Sequence, residues 1–144
     1  MHFNLLGMVV LFGILTFVCI PCNGAEIVIN RLDNCKGEIK EEIDGKIPSS
    51  PANHFFIASI EIINYGYDSF YVDPMFFSVT RANKLYPSTH ATSYRRQPLR
   101  STLLRNGERV QGELAFEIPK SNLDSNNNIQ YTGTESARIV YYCA

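Results

Sequence analysis

The chain has 144 residues, 19% of them charged, and a formal net charge of −1. A balance this close to neutral excludes a surface built to displace nucleic-acid counterions and also a polybasic grip on membranes. There is no Trp, but aromatic residues make up 12% of the chain, and together with abundant Ile and Val they favour strands.

Residues 1–24 carry no Asp, Glu, Lys or Arg, and Leu5–Ile20 is nearly all apolar before Pro21 and Gly24 break the run. This reads as a secretory signal peptide, with Cys22 and Gly24 as the small residues of a cut before Ala25. The competing reading is an uncleaved anchor, although the apolar run falls just short of the ~18 residues of a spanning helix. Lipidation of Cys19 or Cys22 fits poorly, because Val18 and Pro21 precede them. Either way residues 25–144 face the outside of a cell as one domain, secreted or held at the surface. The membrane is met only through an uncleaved N-terminal segment. Two cysteines, Cys35 and Cys143, lie beyond the leader. In an oxidising compartment such a pair is most simply a disulfide. The loop it closes is about 100 residues, worth ~4–5 kcal/mol in the chain-entropy model. Two unpaired buried thiols are the alternative.

Ile27–Arg31 reads as a short edge strand. Cys35–Gly45, with Ile39 and Ile43 four apart among charges, reads as one or two helical turns or a charged hairpin. His54–Asn64 is the longest strand. Its apolar face is Phe56, Ala58, Ile60 and Ile62, and its mixed face is Phe55, Ile57, Ser59, Glu61 and Ile63. Asn64–Asp68 is a turn and Ser69–Val72 a strand, broken by Asp73-Pro74. Met75, Phe77 and Val79 then alternate with Phe76, Ser78 and Thr80, and Leu85-Tyr86 returns after a turn. His90–Leu99 shows no period and reads as a loop. A strand at Leu103 leads through Asn106-Gly107 into the clearest pattern of the chain. There Val110, Gly112, Leu114, Phe116 and Ile118 face the core, while Arg109, Gln111, Glu113 and Glu117 face water, with Ala115 the one apolar residue among them. Pro119 ends it by removing a ladder donor. Ser121–Asn128 is an Asn-rich loop, and Ile129–Tyr131 with Ala137–Tyr142 reads as a closing hairpin. About seven to eight strands with frequent turns imply an all-β, immunoglobulin-like antiparallel β-sandwich after the signal sequence.

Asn64-Tyr65-Gly66, Phe70-Tyr71-Val72, Phe77-Ser78-Val79, Asn106-Gly107-Glu108 and the strand Gly112–Pro119 follow one another in a familiar order. Over about His54–Tyr131 the chain resembles a large family of secreted and membrane-anchored Ig-like domains of unknown function. That family is grouped structurally with the immunoprotective extracellular antigens of mycobacteria. The resemblance implies a β-sandwich at the cell surface and no enzymatic activity. The chain departs from many relatives in lacking a lipobox and in carrying Cys35 and Cys143.

Among candidates for chemistry, Asp124, Asn126, Asn128 and Glu135 occupy positions 1, 3, 5 and 12 of a calcium loop, but position 6 is Ile129 where the turn needs Gly. His54, His90, Cys35 and Met75 supply the ligand types of a copper site without any local spacing. Tyr94, Arg95, Arg96 and Arg100, with Arg105 and Arg109 beyond, form a basic stretch for an anionic partner, or a solvated loop balanced by acids elsewhere. There is no G-x-S-x-G elbow, phosphate-cradling loop or His-Glu-x-x-His. The sequence therefore reads as a non-catalytic extracellular binding or structural module without a cofactor, its partner an extracellular protein or glycan. The alternative is a metal-dependent domain, either a calcium-stabilised adhesin-type module or a metal carrier.

Overall fold

A computed structural model of the chain describes residues 24–120 and 127–140. It is all-β, an immunoglobulin-like sandwich with ten strands among the described residues. These are β1 (Glu26–Arg31), β2 (Glu38–Lys40), β3 (Asn53–Tyr65), β4 (Ser69–Val72), β5 (Phe77–Arg81), β6 (Lys84–Pro87), β7 (Thr102–Arg105), β8 (Arg109–Pro119), β9 (Asn128–Tyr131) and β10 (Ala137–Val140). Two short 3-10 turns, Pro74–Phe76 and His90–Tyr94, interrupt them.

The long strand β3 organises the first sheet. Along one edge β8 pairs with it antiparallel from Asn53↔Pro119 to Ile63↔Arg109. The other edge is shared end to end by β1, from Glu26↔Tyr65 to Arg31↔Ile60, and by β2, opposite Phe55–Ile57. The second layer holds the pair β4–β7 and the three strands β6-β5-β9. Between the layers lie Phe56, Ala58, Ile60, Ile62, Leu114, Phe116 and Ile118 from the first sheet, facing Phe70, Val72, Phe77, Val79, Leu104 and Ile129 from the second. The two-residue periods of β3 and β8 thus point to the core as expected, with Val110 packed at its margin.

Gly112 has a specific reason. A Cβ there would sit 2.4 Å from the Leu99 Cα, so the glycine lets the crossing chain lie directly on the strand. That crossing chain bonds to β8 through Leu99 N to Glu113 O at 2.9 Å and Glu113 N to Gln97 O at 2.9 Å.

Several expectations are corrected. β9 and β10 do not form a hairpin: β9 pairs with β5, whereas β10 crosses to the first sheet and runs parallel to β1. β1 is therefore an inner strand, and β10 takes the edge beside it. β7 and β8 likewise belong to different sheets, so Asn106-Gly107 is a sheet-crossing turn, with Gly107 at φ 86. The charged segment after Cys35 holds the short strand β2 and a tight Ile43–Lys46 turn, with no α-helix. Met75 stands in a 3-10 turn started by Asp73, whose side chain accepts from Met75 N, because proline at the first position suits a turn better than a ladder. The stretch after Thr89 opens with the 3-10 turn His90–Tyr94. Finally, the outer face of β8 is not wholly solvated, while that of β3 is partly covered, as its mixed character implies. Phe55, Ile57 and Ala115 form a second, small core with Ile43 and Ala91, covered by the Ile43 turn and the His90–Tyr94 turn.

Candidate functional site

The two motifs Asn64-Tyr65-Gly66 and Asn106-Gly107-Glu108 meet at one end of the sandwich. Asn64 is fully buried; its Nδ2 donates to Tyr67 O at 2.9 Å and Leu104 O at 3.1 Å, and its Oδ1 accepts from Tyr67 N at 3.0 Å. Gly107 N donates to Asn64 O at 2.8 Å, and Gly66 N donates to Asn106 Oδ1 at 2.9 Å. Every one of these groups is spent on a neighbour, so the most distinctive motifs of the chain tie the two sheets together. Their role is structural.

The basic stretch is divided. Lys46 Nζ lies 4.8 Å from the centre of the half-exposed Tyr94 ring. Arg95 Nη2 bonds to Glu113 Oε2 at 3.0 Å and sits 3.9 Å from Glu38 Oε1. Arg109 reaches Glu61 at 3.4 Å. Arg96 and Arg100 are exposed, yet they open onto different hollows. One is a polar trough over the outer face of the first sheet, where Arg96 and Lys40 stand beside Glu38 and Glu113. The other, about 610 Å³, lies between the Pro74–Phe76 turn, the segment 88–93 and the crossing chain 98–101, with Arg100 at its side. A single basic patch is therefore not assembled.

The second trough escaped the sequence reading because its walls come from three separated segments. Its local signals are turn starters. Asp73 Oδ1 accepts from Met75 N at 2.8 Å and its Oδ2 from Ser101 Oγ at 3.0 Å; Thr89 Oγ1 accepts from Ala91 N at 3.2 Å. Ser88 Oγ donates to Pro74 O at 2.6 Å, closing the floor. His90 and Met75, far apart in sequence, both line this trough.

The remaining candidates fall elsewhere. His54 is buried at the start of β3, where burial holds its imidazole below the ordinary range and the nearby Arg81 and Lys120 add to this against Glu41. Asp124 and Asn126 lie outside the described residues. Asn128 opens β9, and the Glu135 carboxylate accepts from the Tyr131 hydroxyl, whose pKa burial and this bond push up. Among the described residues no three His, Cys, Asp or Glu side chains are grouped to hold a metal. Cys35 sits in the turn after β1 at φ 64, and Cys143 lies outside the described residues. So do residues 1–23. No helix among the described residues is long and apolar enough to cross a membrane.

The profile of the family described as Domain of unknown function (DUF4352) matches residues 22–138. The chain belongs to this family. No curated protein matches the DUF4352 chain. Among solved structures it is similar to ycdA, a candidate lipoprotein of Bacillus subtilis subsp. subtilis strain 168, at 17% identity and a TM-score of 0.53, over 70% of this chain and 34% of that one. The yjhA protein of Bacillus subtilis is similar at 19% identity and a TM-score of 0.46, over 65% of this chain and 64% of that one. The DUF4352 chain thus spans about a third of the ycdA chain. At this identity the likeness to ycdA concerns the fold.

Proposed function

We propose that this DUF4352 domain is a non-catalytic module of the cell exterior, secreted or tethered at the surface, that binds an extracellular protein or glycan. The observation that carries this reading is the open trough of about 610 Å³, walled by three segments of the sandwich. Concave, largely preformed sites of this size are where ligands settle on a rigid frame. The resemblance of ycdA, a candidate lipoprotein, supports the outward address, as does the apolar stretch Leu5–Ile20. Kinship with the immunoprotective extracellular antigens belongs to the same reading.

The test places a photo-reactive residue at each of the exposed positions 47, 71, 75 and 85, on the chain expressed in its own cells. Discrete cross-linked partners at the cell surface from at least one position are expected. Their absence from all four would overturn the binding role, and an N-terminus found only inside the cell would overturn the address. Elemental analysis of the purified protein separates the metal-dependent alternative: a stoichiometric metal removed by chelator would replace the present reading.

A further inference from the structure

The Asn106-Gly107 pair carries a chemistry that its turn does not use. An asparagine followed by glycine is open to attack by the next backbone nitrogen on its side-chain amide, because glycine has no Cβ to hinder the approach. Both residues are exposed here, and a Cβ at Gly107 would meet nothing within 4 Å. The reacting atoms are nevertheless held. Gly107 N, the nucleophile, donates to Asn64 O at 2.8 Å. Asn106 Oδ1, on the carbon to be attacked, accepts from Gly66 N at 2.9 Å. Glu108 N donates to Arg105 O at 3.0 Å and Gly107 has φ 86, which together close a type II turn. In that turn ψ of the first central residue is about +120°, so Gly107 N points away from the Asn106 side chain.

We propose that Asn106-Gly107 is a latent self-modification site, latched by the bonds that join the two sheets and released when that end of the sandwich opens. Local opening of this kind costs less than unfolding the whole domain. In the open state Gly107 N gives up its proton and bonds to Asn106 Cγ, and the side-chain nitrogen leaves as ammonia. Water then opens the resulting succinimide at either carbonyl, leaving aspartate or isoaspartate at position 106. The isoaspartate form has an extra methylene in the main chain, so the turn no longer reaches both Asn64 O and Gly66 N. A new carboxylate also arises beside Glu108, whose own carboxylate accepts from Arg105 N at 2.7 Å. The change runs one way, and a molecule that has opened is left with a weakened junction between its sheets.

The experiment incubates the full chain in mildly alkaline buffer, folded and unfolded in urea, beside a blocked peptide of residues 103–110 with and without urea. Peptide mapping by mass spectrometry follows aspartate and isoaspartate at position 106. The peptide and the unfolded chain should convert at similar rates. The folded chain should convert roughly tenfold more slowly or less, the scale of two hydrogen bonds that must open first. Equal rates in the folded chain and the peptide would overturn the latch, and an unreactive peptide would overturn the site itself. Asn64→Ala, which loosens the same junction, should raise the rate while circular dichroism shows the variant still folded. If that variant does not fold, the parent in urea just short of its unfolding transition replaces it. A rate that fails to rise there would assign the protection to something other than the sheet-joining bonds and sink the proposal.

Discussion

Phe116 is fully enclosed, directly opposite Phe56 on the neighbouring strand, with ring centres 6.3 Å apart. Removing the ring leaves a cavity that a sheet-on-sheet core cannot collapse to fill, so Phe116→Ala should cost ~3–5 kcal/mol in denaturant unfolding. A loss near that of a surface substitution, about 0.5 kcal/mol, would mean the face is wrongly assigned. Gly112 tests the opposite error. The atoms its added methyl would meet are the backbone of Leu99, which has no rotamer to escape into. Gly112→Ala should therefore destabilise by ~1–3 kcal/mol, although alanine suits a strand better than glycine does. If the variant proved as stable as the parent, the crossing chain could not lie where it does.

The elements are held together by devices that join the sheets. Asn64 at the end of β3 bonds to Tyr67 in the turn before β4 and to Leu104 in β7, so truncation strands the buried Leu104 carbonyl and the part-buried Tyr67 amide. With about 1–3 kcal/mol for each buried group left without a partner, Asn64→Ala should lower stability by more than either alone. Thermal melting of the variant checks this, and an unchanged melting temperature would remove the structural role given to the motif. The parallel pairing of β10 with β1 bears on the cysteines. Val140 lies opposite Asn30 and both strands run the same way. We expect a Cys35–Cys143 disulfide, which would hold the edge strand β10 against fraying. Mass spectrometry of unreduced, alkylated protein should find neither thiol modified; two alkylated cysteines would refute the bridge.

At the scale of the whole molecule, pH acts on groups whose native partners or burial favour one protonation state. Burial holds His54 below its ordinary value of 6.5, so the unfolded chain takes up a proton that the native one resists. Stability should therefore be fully present above pH 6.5 and decline as pH falls below it. Glu61 and Glu117 add a second limb. Bonds from Gln111, Asn30 and Arg109 depress Glu61, while at Glu117 burial pushes upward and is outweighed by Ser49 and Asn53. Both lie below the ordinary 4.5, and their contribution is lost as pH drops beneath that value through their native range. Urea unfolding from pH 7.5 to 3.5 should show both limbs, and His54→Gln should flatten the upper one alone. An upper limb unchanged in that variant would assign it to another group.

How much of this was legible before folding differs with the range of the interaction. β3 and β8 could be read strand by strand, because alternation along Phe56–Ile62 and Val110–Ile118 is a local property of a chain with one face to bury. The all-β class, the short returning strand at Leu85 and the placing of Phe56, Phe77 and Phe116 in the core follow from the same periodicity. Only the tertiary structure decided which strands are partners. β9 and β10 are adjacent in sequence yet enter opposite sheets, since each buries its apolar face only beside a distant strand, β5 or β1. The trough belongs to this second kind. Met75, His90 and Arg100 gain a common surface only when three turns converge, and no spacing along the chain encodes a convergence of segments that never pair locally.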